Sequence, residues 1–154
     1  MSNAQYGLME QRISCVNLGV DDVNRARAFY EAMGWRQNPV SRDIMPLFNA
    51  NGTVFILFDR QEMAHEAFRG VGAPTDPKPA FSGIILSYVV REEEEVQQIL
   101  DRAVAHGARI TSPATKQQWG NTSGYFTDPE GHVWEVSKTA RTPLQADGSF
   151  RIGE

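Results

Sequence analysis

A carboxylate, a thiol, three imidazoles and one indole-bearing polar loop are the groups through which this sequence could do chemistry. Glu135 interrupts the run His132-Val133-Trp134-Glu135-Val136-Ser137. A carboxylate on a strand that otherwise faces an apolar space loses hydration, which raises its pKa toward neutrality and makes it a candidate general acid or base. The competing reading is a hydrogen-bonded or solvated glutamate that does no chemistry. Cys15, the single cysteine, would need a nearby base to become a thiolate nucleophile or redox centre; none falls beside it in the predicted topology, so a small packed core residue is the favoured role. Trp119-Gly120-Asn121-Thr122-Ser123 is a polar loop whose indole either closes over a ligand or packs on a sheet edge. Asn121-Thr122-Ser123 matches a glycosylation sequon, taken as accidental because no secretion signal is recognisable. Glu92 to Glu95 starts a helix on a solvated face and is no metal site, because consecutive helical residues diverge.

These groups need elements to position them. Ile13 to Val20 alternates as a half-buried strand, and Asp21 or Asp22 caps a helix carrying Val23, Ala26, Phe29, Tyr30 and Met33, stopped by Gly34. Trp35–Val40, Met45–Asn49 and Thr53–Phe58 are predicted strands, the last two joined by a tight Asn51-Gly52 turn. Arg60–Phe68 is a short helix. Gly70 to Pro79 is a linker, since repeated Gly and Pro break ladders and helices. The pattern then restarts: strand Phe81–Val90, helix Glu92–His106, and strands Ala108–Thr111, Gly124–Thr127 and His132–Ser137, with Asp128-Pro129-Glu130-Gly131 as a turn. Ile110 to Gly120 is the long irregular stretch of this half, and Asp147-Gly148 suggests one last hairpin. Laying Cys15 on Ile85 and Gly52 on Gly131 exposes an internal β-α-β-β-β repeat. The predicted architecture is α+β, with modules 12–59 and 81–138 joined by linker 60–80 and followed by tail 139–154. Each sheet buries one face under its helix, and the two other faces together make a cleft.

Composition narrows the function. The 154 residues, 41% hydrophobic, are enough for one cored domain without staples. Fifteen basic residues against nineteen acidic, never clustered, argue against nucleic acid. No apolar run reaches the roughly 20 residues of a membrane helix. The lone cysteine and the unremarkable first residues, excluded from the fold argument as a possible tag remnant, predict a cytoplasmic protein with a small-molecule ligand.

Two segments carry a family resemblance: Leu18-Gly19-Val20-Asp21-Asp22 leading into Arg27-Ala28-Phe29-Tyr30 and Gly34-Trp35, and Gly124-Tyr125-Phe126-Thr127-Asp128-Pro129-Glu130-Gly131-His132-Val133-Trp134-Glu135-Val136. Over about residues 12–138 the chain resembles the vicinal oxygen chelate superfamily, which includes glyoxalase I, bleomycin-resistance proteins and extradiol dioxygenases. The resemblance implies the glyoxalase/bleomycin resistance/dihydroxybiphenyl dioxygenase-like fold, and a homodimer, since relatives pair modules within or between chains. The fold alone leaves isomerase, lyase, dioxygenase and drug-binding functions open.

Carried over by position, the metal-ligand sites of such relatives fall on Cys15, Ile56, Ile85 and Glu135. A catalytic divalent ion needs about three donors, and two isoleucines supply none. His65 lies on the linker helix, His106 ends the second helix, and His132 has the opposite strand parity to Glu135. The expectation is therefore no family-type metal centre and no cofactor, with a weak metal on Cys15 and Glu135 left open. Strand parity places Cys15, Asn17, Gly19, Ile56, Phe58, Ile85, Ser87, Glu135 and Ser137 toward the cleft, and Val16, Leu18, Val20, Phe55, Leu57, Trp134 and Val136 toward the helices. The candidate site is Glu135 as the acid–base group, with Cys15, Asn17, Ile56, Phe58, Ile85, Ser87, Trp119 and Tyr125 binding the ligand. Two functions compete: a bleomycin-resistance-like protein that sequesters a small organic ligand, and a glyoxalase-type lyase or isomerase, less so a dioxygenase, using Glu135.

Overall fold

The computed structural model describes residues 11–75 and 81–152. Its elements are β1 (Cys15–Val20), α1 (Val23–Ala32), β2 (Leu47–Asn49), β3 (Val54–Asp59), α2 (Arg60–Ala67), β4 (Ile85–Val89), α3 (Glu94–Ala105), β5 (Arg109–Lys116), β6 (Thr122–Thr127) and β7 (Val133–Lys138). They form an α+β fold with two sheets, ordered β1-β3-β2 and β4-β7-β6-β5. The repeat read from the sequence is visible in the pairing: β1 runs parallel to β3, and β4 runs parallel to β7. Residues 1–10 and the linker stretch 76–80, including Pro77 and Pro79, lie outside the described residues.

Local chemistry sets the element ends. Asp22 caps α1 by accepting the amide of Arg25, and Gly34 leaves that helix at φ 102°. Asp59 ends β3 and caps α2 by accepting the amides of Gln61 and Glu62. Glu95 reaches back to the amides of Arg91 and Glu92, so the acidic run is a helix start, as expected. Asn51 and Gly52 both take positive φ, 52° and 97°, as a two-residue hairpin turn demands.

Two expected features differ. Trp35–Val40 is not a strand: Pro39 has no ladder donor, Trp35 turns its ring into the core, and one backbone bond, Asn38 N–H to Leu47 O, joins the segment to β2. The first sheet therefore has three strands. Conversely, Ile110 to Lys116 is ordered as β5, paired with β6 through register shifts at Ile110/Ser112 and Ser112/Thr115. Pro113 sits inside that bulged stretch, where the missing N–H is tolerated. Asp147-Gly148 forms a tight turn closed by the Gln145 amide on Ser149 O, without flanking strands.

The helix-side faces of both sheets share one core. Leu18, Val20, Phe55 and Leu57 from the first sheet and Phe126, Trp134 and Val136 from the second are buried with Ala26, Phe29 and Tyr30 of α1 and Val96, Leu100 and Ala103 of α3. The parity predicted for these residues is thus observed. Aromatic rings stitch the halves together: Phe29 with Phe126, and Tyr30, Trp35 and Phe55 each with Trp134. No helix among the described residues is long and apolar enough to cross a membrane.

Candidate functional site

On the face of the second sheet turned away from α3, three polar side chains line up across three strands. The ladder sets Ser87 of β4 beside Glu135 of β7, and Glu135 beside Tyr125 of β6. The Ser87 hydroxyl donates to Glu135 Oε2 at 2.9 Å, and the Tyr125 phenol donates to Oε1 at 3.1 Å. Both carboxylate oxygens of Glu135 are therefore held, one by each neighbouring strand, with the side chain half-buried. Burial first, and then the charge of Glu135 and the bond to it, hold the Tyr125 phenol above its ordinary pKa. Two residue pairs along the strands and so on the same face, Ile85 and Val133 give the site an apolar shoulder, Ile85 being 45% exposed.

The first sheet presents a similar face. Cys15 and Asn17 are exposed, and Ile56 and Phe58 are half-buried. The core role favoured for Cys15 is not observed: its parity turns it away from α1, leaving a free thiol in solvent. α2 covers one end of this face. A Cβ at Gly19 would stand 2.8 Å from Met63 Cε.

Ser87, Tyr125 and Glu135 are thus brought together, while Cys15, Asn17, Ile56 and Phe58 belong to the other sheet. Phe58 borders a space of about 880 Å³ between α1, α2 and the 43–45 loop, and Ser87 borders one of about 980 Å³ along the free edge of β4. Neither takes in Glu135 or Tyr125. Trp119 is 66% exposed at the tip of the β5–β6 turn.

The donor set does not fit a metal of the family type. Ile56 and Ile85 have no donor atom, and the described residues hold no group of three His, Cys, Asp or Glu side chains that could hold an ion. His132 uses Nε2 to donate to Gly19 O at 2.8 Å.

Sequence reasoning missed the polar contacts between the halves. In the β6–β7 turn, Asp128 Oδ1 accepts the amides of Glu130 and His132, and Oδ2 accepts the Tyr30 hydroxyl at 2.5 Å. That hydroxyl in turn accepts from Trp134 Nε1 at 3.2 Å. Glu130, almost wholly buried, accepts from Arg25 and from the amide of Asp21. The turn composition was legible, but nothing in it names partners about a hundred residues away.

The model of the Glyoxalase/Bleomycin resistance protein/Dioxygenase superfamily matches residues 12–136. Among solved structures, a glyoxalase-related enzyme from Fulvimarina pelagi is 29% identical, with a TM-score of 0.80 over 94% of this chain and 99% of the other. A glyoxalase/bleomycin resistance protein/dioxygenase family enzyme from Burkholderia phytofirmans is 18% identical, with a TM-score of 0.69 over 81% and 96%. A lactoylglutathione lyase from Agrobacterium tumefaciens, 23% identical with a TM-score of 0.60 over 83% and 93%, shares the fold. No curated protein gives a significant match.

Proposed function

The chain belongs to the Glyoxalase/Bleomycin resistance protein/Dioxygenase superfamily, and from that premise we propose that it binds a small organic molecule on the Glu135 face, without a family-type metal. The observation that carries this is the two-sided grip on the Glu135 carboxylate by Ser87 and Tyr125. A carboxylate fixed beside Ile85 and Val133 suits a ligand with an apolar body and a cationic or hydrogen-bond-donating group. The reading includes a second copy of the chain. β1 and β4 each have one strand neighbour, and Ile13, Ile84 and Ile85 are exposed beside those edges. Setting the first sheet's open face of one copy against the second sheet's open face of another would turn two surfaces into a cleft. A free, exposed Cys15 suits a reducing compartment, and we place the protein in the cytoplasm.

One observation favours a lyase or isomerase as the second reading: Tyr125 donates to Glu135, so a proton carrier and a relay already touch.

The test is isothermal titration with benzylamine and with benzyl alcohol. The expected result is tighter binding of the amine by about tenfold, the worth of one charge-assisted hydrogen bond, with that preference lost in Glu135→Gln. Equal affinity for both compounds, or an unchanged preference in the variant, would sink the binding reading. Light scattering tests the dimer, and a monomer at micromolar concentration would count against it.

A further inference from the structure

A second space lies on the opposite side of the same sheet. Phe126 and Trp134 alternate with Tyr125 and Glu135 along β6 and β7, so they point to the other face. There, with Tyr30, Trp35 and Ile99, they wall a crevice of about 320 Å³ between α1, α3 and the second sheet. Two polar atoms of its walls are already committed: the Tyr30 hydroxyl bonds Asp128 and receives Trp134 Nε1. Most of the lining is ring faces and aliphatic carbon, which favours a flat apolar body.

The mouth is different. Gln98, Ile99 and Arg102 fall on one side of α3 by helical spacing and all border the crevice. Arg102 Nε donates to the carbonyl of Ala32 at 2.8 Å, satisfying one of the open carbonyls at the end of α1. That bond fixes the guanidinium while leaving its two terminal nitrogens without a partner among the described residues. Gln98 likewise makes no hydrogen bond there. Among the described residues no carboxylate borders the crevice. An apolar crevice with an anchored, unspent guanidinium and a free amide at its rim matches one chemical class.

We propose that this crevice between the two halves binds a small aromatic carboxylate, its ring against the wall formed by Trp35, Phe126 and Trp134 and its carboxylate on Arg102 and Gln98. Arg102 presents its remaining N–H groups in the planar array that a carboxylate meets with two oxygens. The site is separate from the Glu135 face and of opposite charge preference.

Because Trp35 and Trp134 line the crevice, tryptophan fluorescence reports its occupancy, and a Trp119→Phe background removes the exposed indole. Titration with phenylacetate should give a saturable change, with phenylacetamide binding about tenfold more weakly. Arg102→Gln, on an exposed side chain and so compatible with folding, should bring the two affinities together. Ile99→Phe should weaken both compounds by filling the crevice, checked for folding by circular dichroism. No saturable change at millimolar phenylacetate, equal affinity for acid and amide, or an Arg102→Gln variant that keeps its preference would each overturn the proposal.

Discussion

Glu130 in the β6–β7 turn holds Arg25 of α1 from a position the solvent does not reach: its Oε1 stands 3.0 Å from Arg25 Nε and 2.6 Å from Nη2, while Oε2 takes the Asp21 amide at 2.8 Å. One side chain of the second half thereby binds both the end of β1 and the start of α1. The pair is asymmetric, since the Glu130 side chain is 0% and the Arg25 side chain 53% exposed.

That asymmetry predicts an order of damage. Arg25→Met strands a buried carboxylate with one amide donor and should be the more damaging of the two changes. Glu130→Gln keeps an acceptor for the amide and releases an arginine that water can reach, and should cost about 1–2 kcal/mol. Urea unfolding of both variants checks the order; a larger loss from Glu130→Gln would show that the arginine carries the burden instead.

Tyr30 predicts an alkaline limit. Burial, and then the charge of Asp128, push its phenol well above the ordinary value. The unfolded chain begins to lose this proton near pH 10, whereas the folded chain keeps it. Stability present below that point is therefore lost as pH rises toward the folded value. Tyr30→Phe should be less stable at pH 7 by about 2–3 kcal/mol, since it leaves Asp128 Oδ2 and Trp134 Nε1 short of a partner. It should nevertheless lose less between pH 9 and 10.5 than the parent does. Parallel urea midpoints across that range settle the point.

Tyr125 reads the state of the Glu135 face. Its phenol is raised first by burial and then by Glu135, so Glu135→Gln should bring its titration part of the way back, not the whole way. Absorbance titration near 295 nm, with Tyr125→Phe identifying the phenol, measures it. A full return to the ordinary range would mean that burial contributes nothing, and no change would mean that Glu135 is not the partner.

Much of the fold was legible because its period was: the alternation of Leu18 and Val20, and of Trp134 and Val136, fixed which face meets the helices. Trp35–Val40 misled because an aromatic followed by polar residues and a proline scans as an edge strand, while the ring of Trp35 is drawn inward by Phe55 and Trp134. Parity also put Ser87 and Glu135 on the same face, since a two-residue period needs no tertiary knowledge, but the register that sets them side by side was not read. The crevice and the Glu130–Arg25 contact were not legible. They depend on how α1 seats between the halves, and neither Arg25 nor Arg102 differs in sequence from an ordinary solvated helix arginine.

Gly124, in the segment that carries the family resemblance, has a tertiary reason to lack a side chain. A Cβ there would stand 2.6 Å from Leu100 Cδ1, 3.1 Å from Ala114 N and 3.2 Å from Ala114 Cα. Glycine inside a strand costs order and gives nothing to pack, so its presence marks a close approach, here of α3 and the bulged β5 onto β6. Leu100 is fully buried and cannot swing its methyl into solvent. Gly124→Ala should therefore destabilise by about 1–3 kcal/mol despite the better strand propensity of alanine. Leu100→Ala alone should cost about 2–5 kcal/mol through the cavity it leaves. The double variant should cost less than the two together by about 1 kcal/mol, because the new methyl occupies part of that cavity, while the backbone of Ala114 keeps the relief incomplete. Additive losses in the denaturation cycle would locate the obstruction at Ala114 alone and remove Leu100 from the explanation.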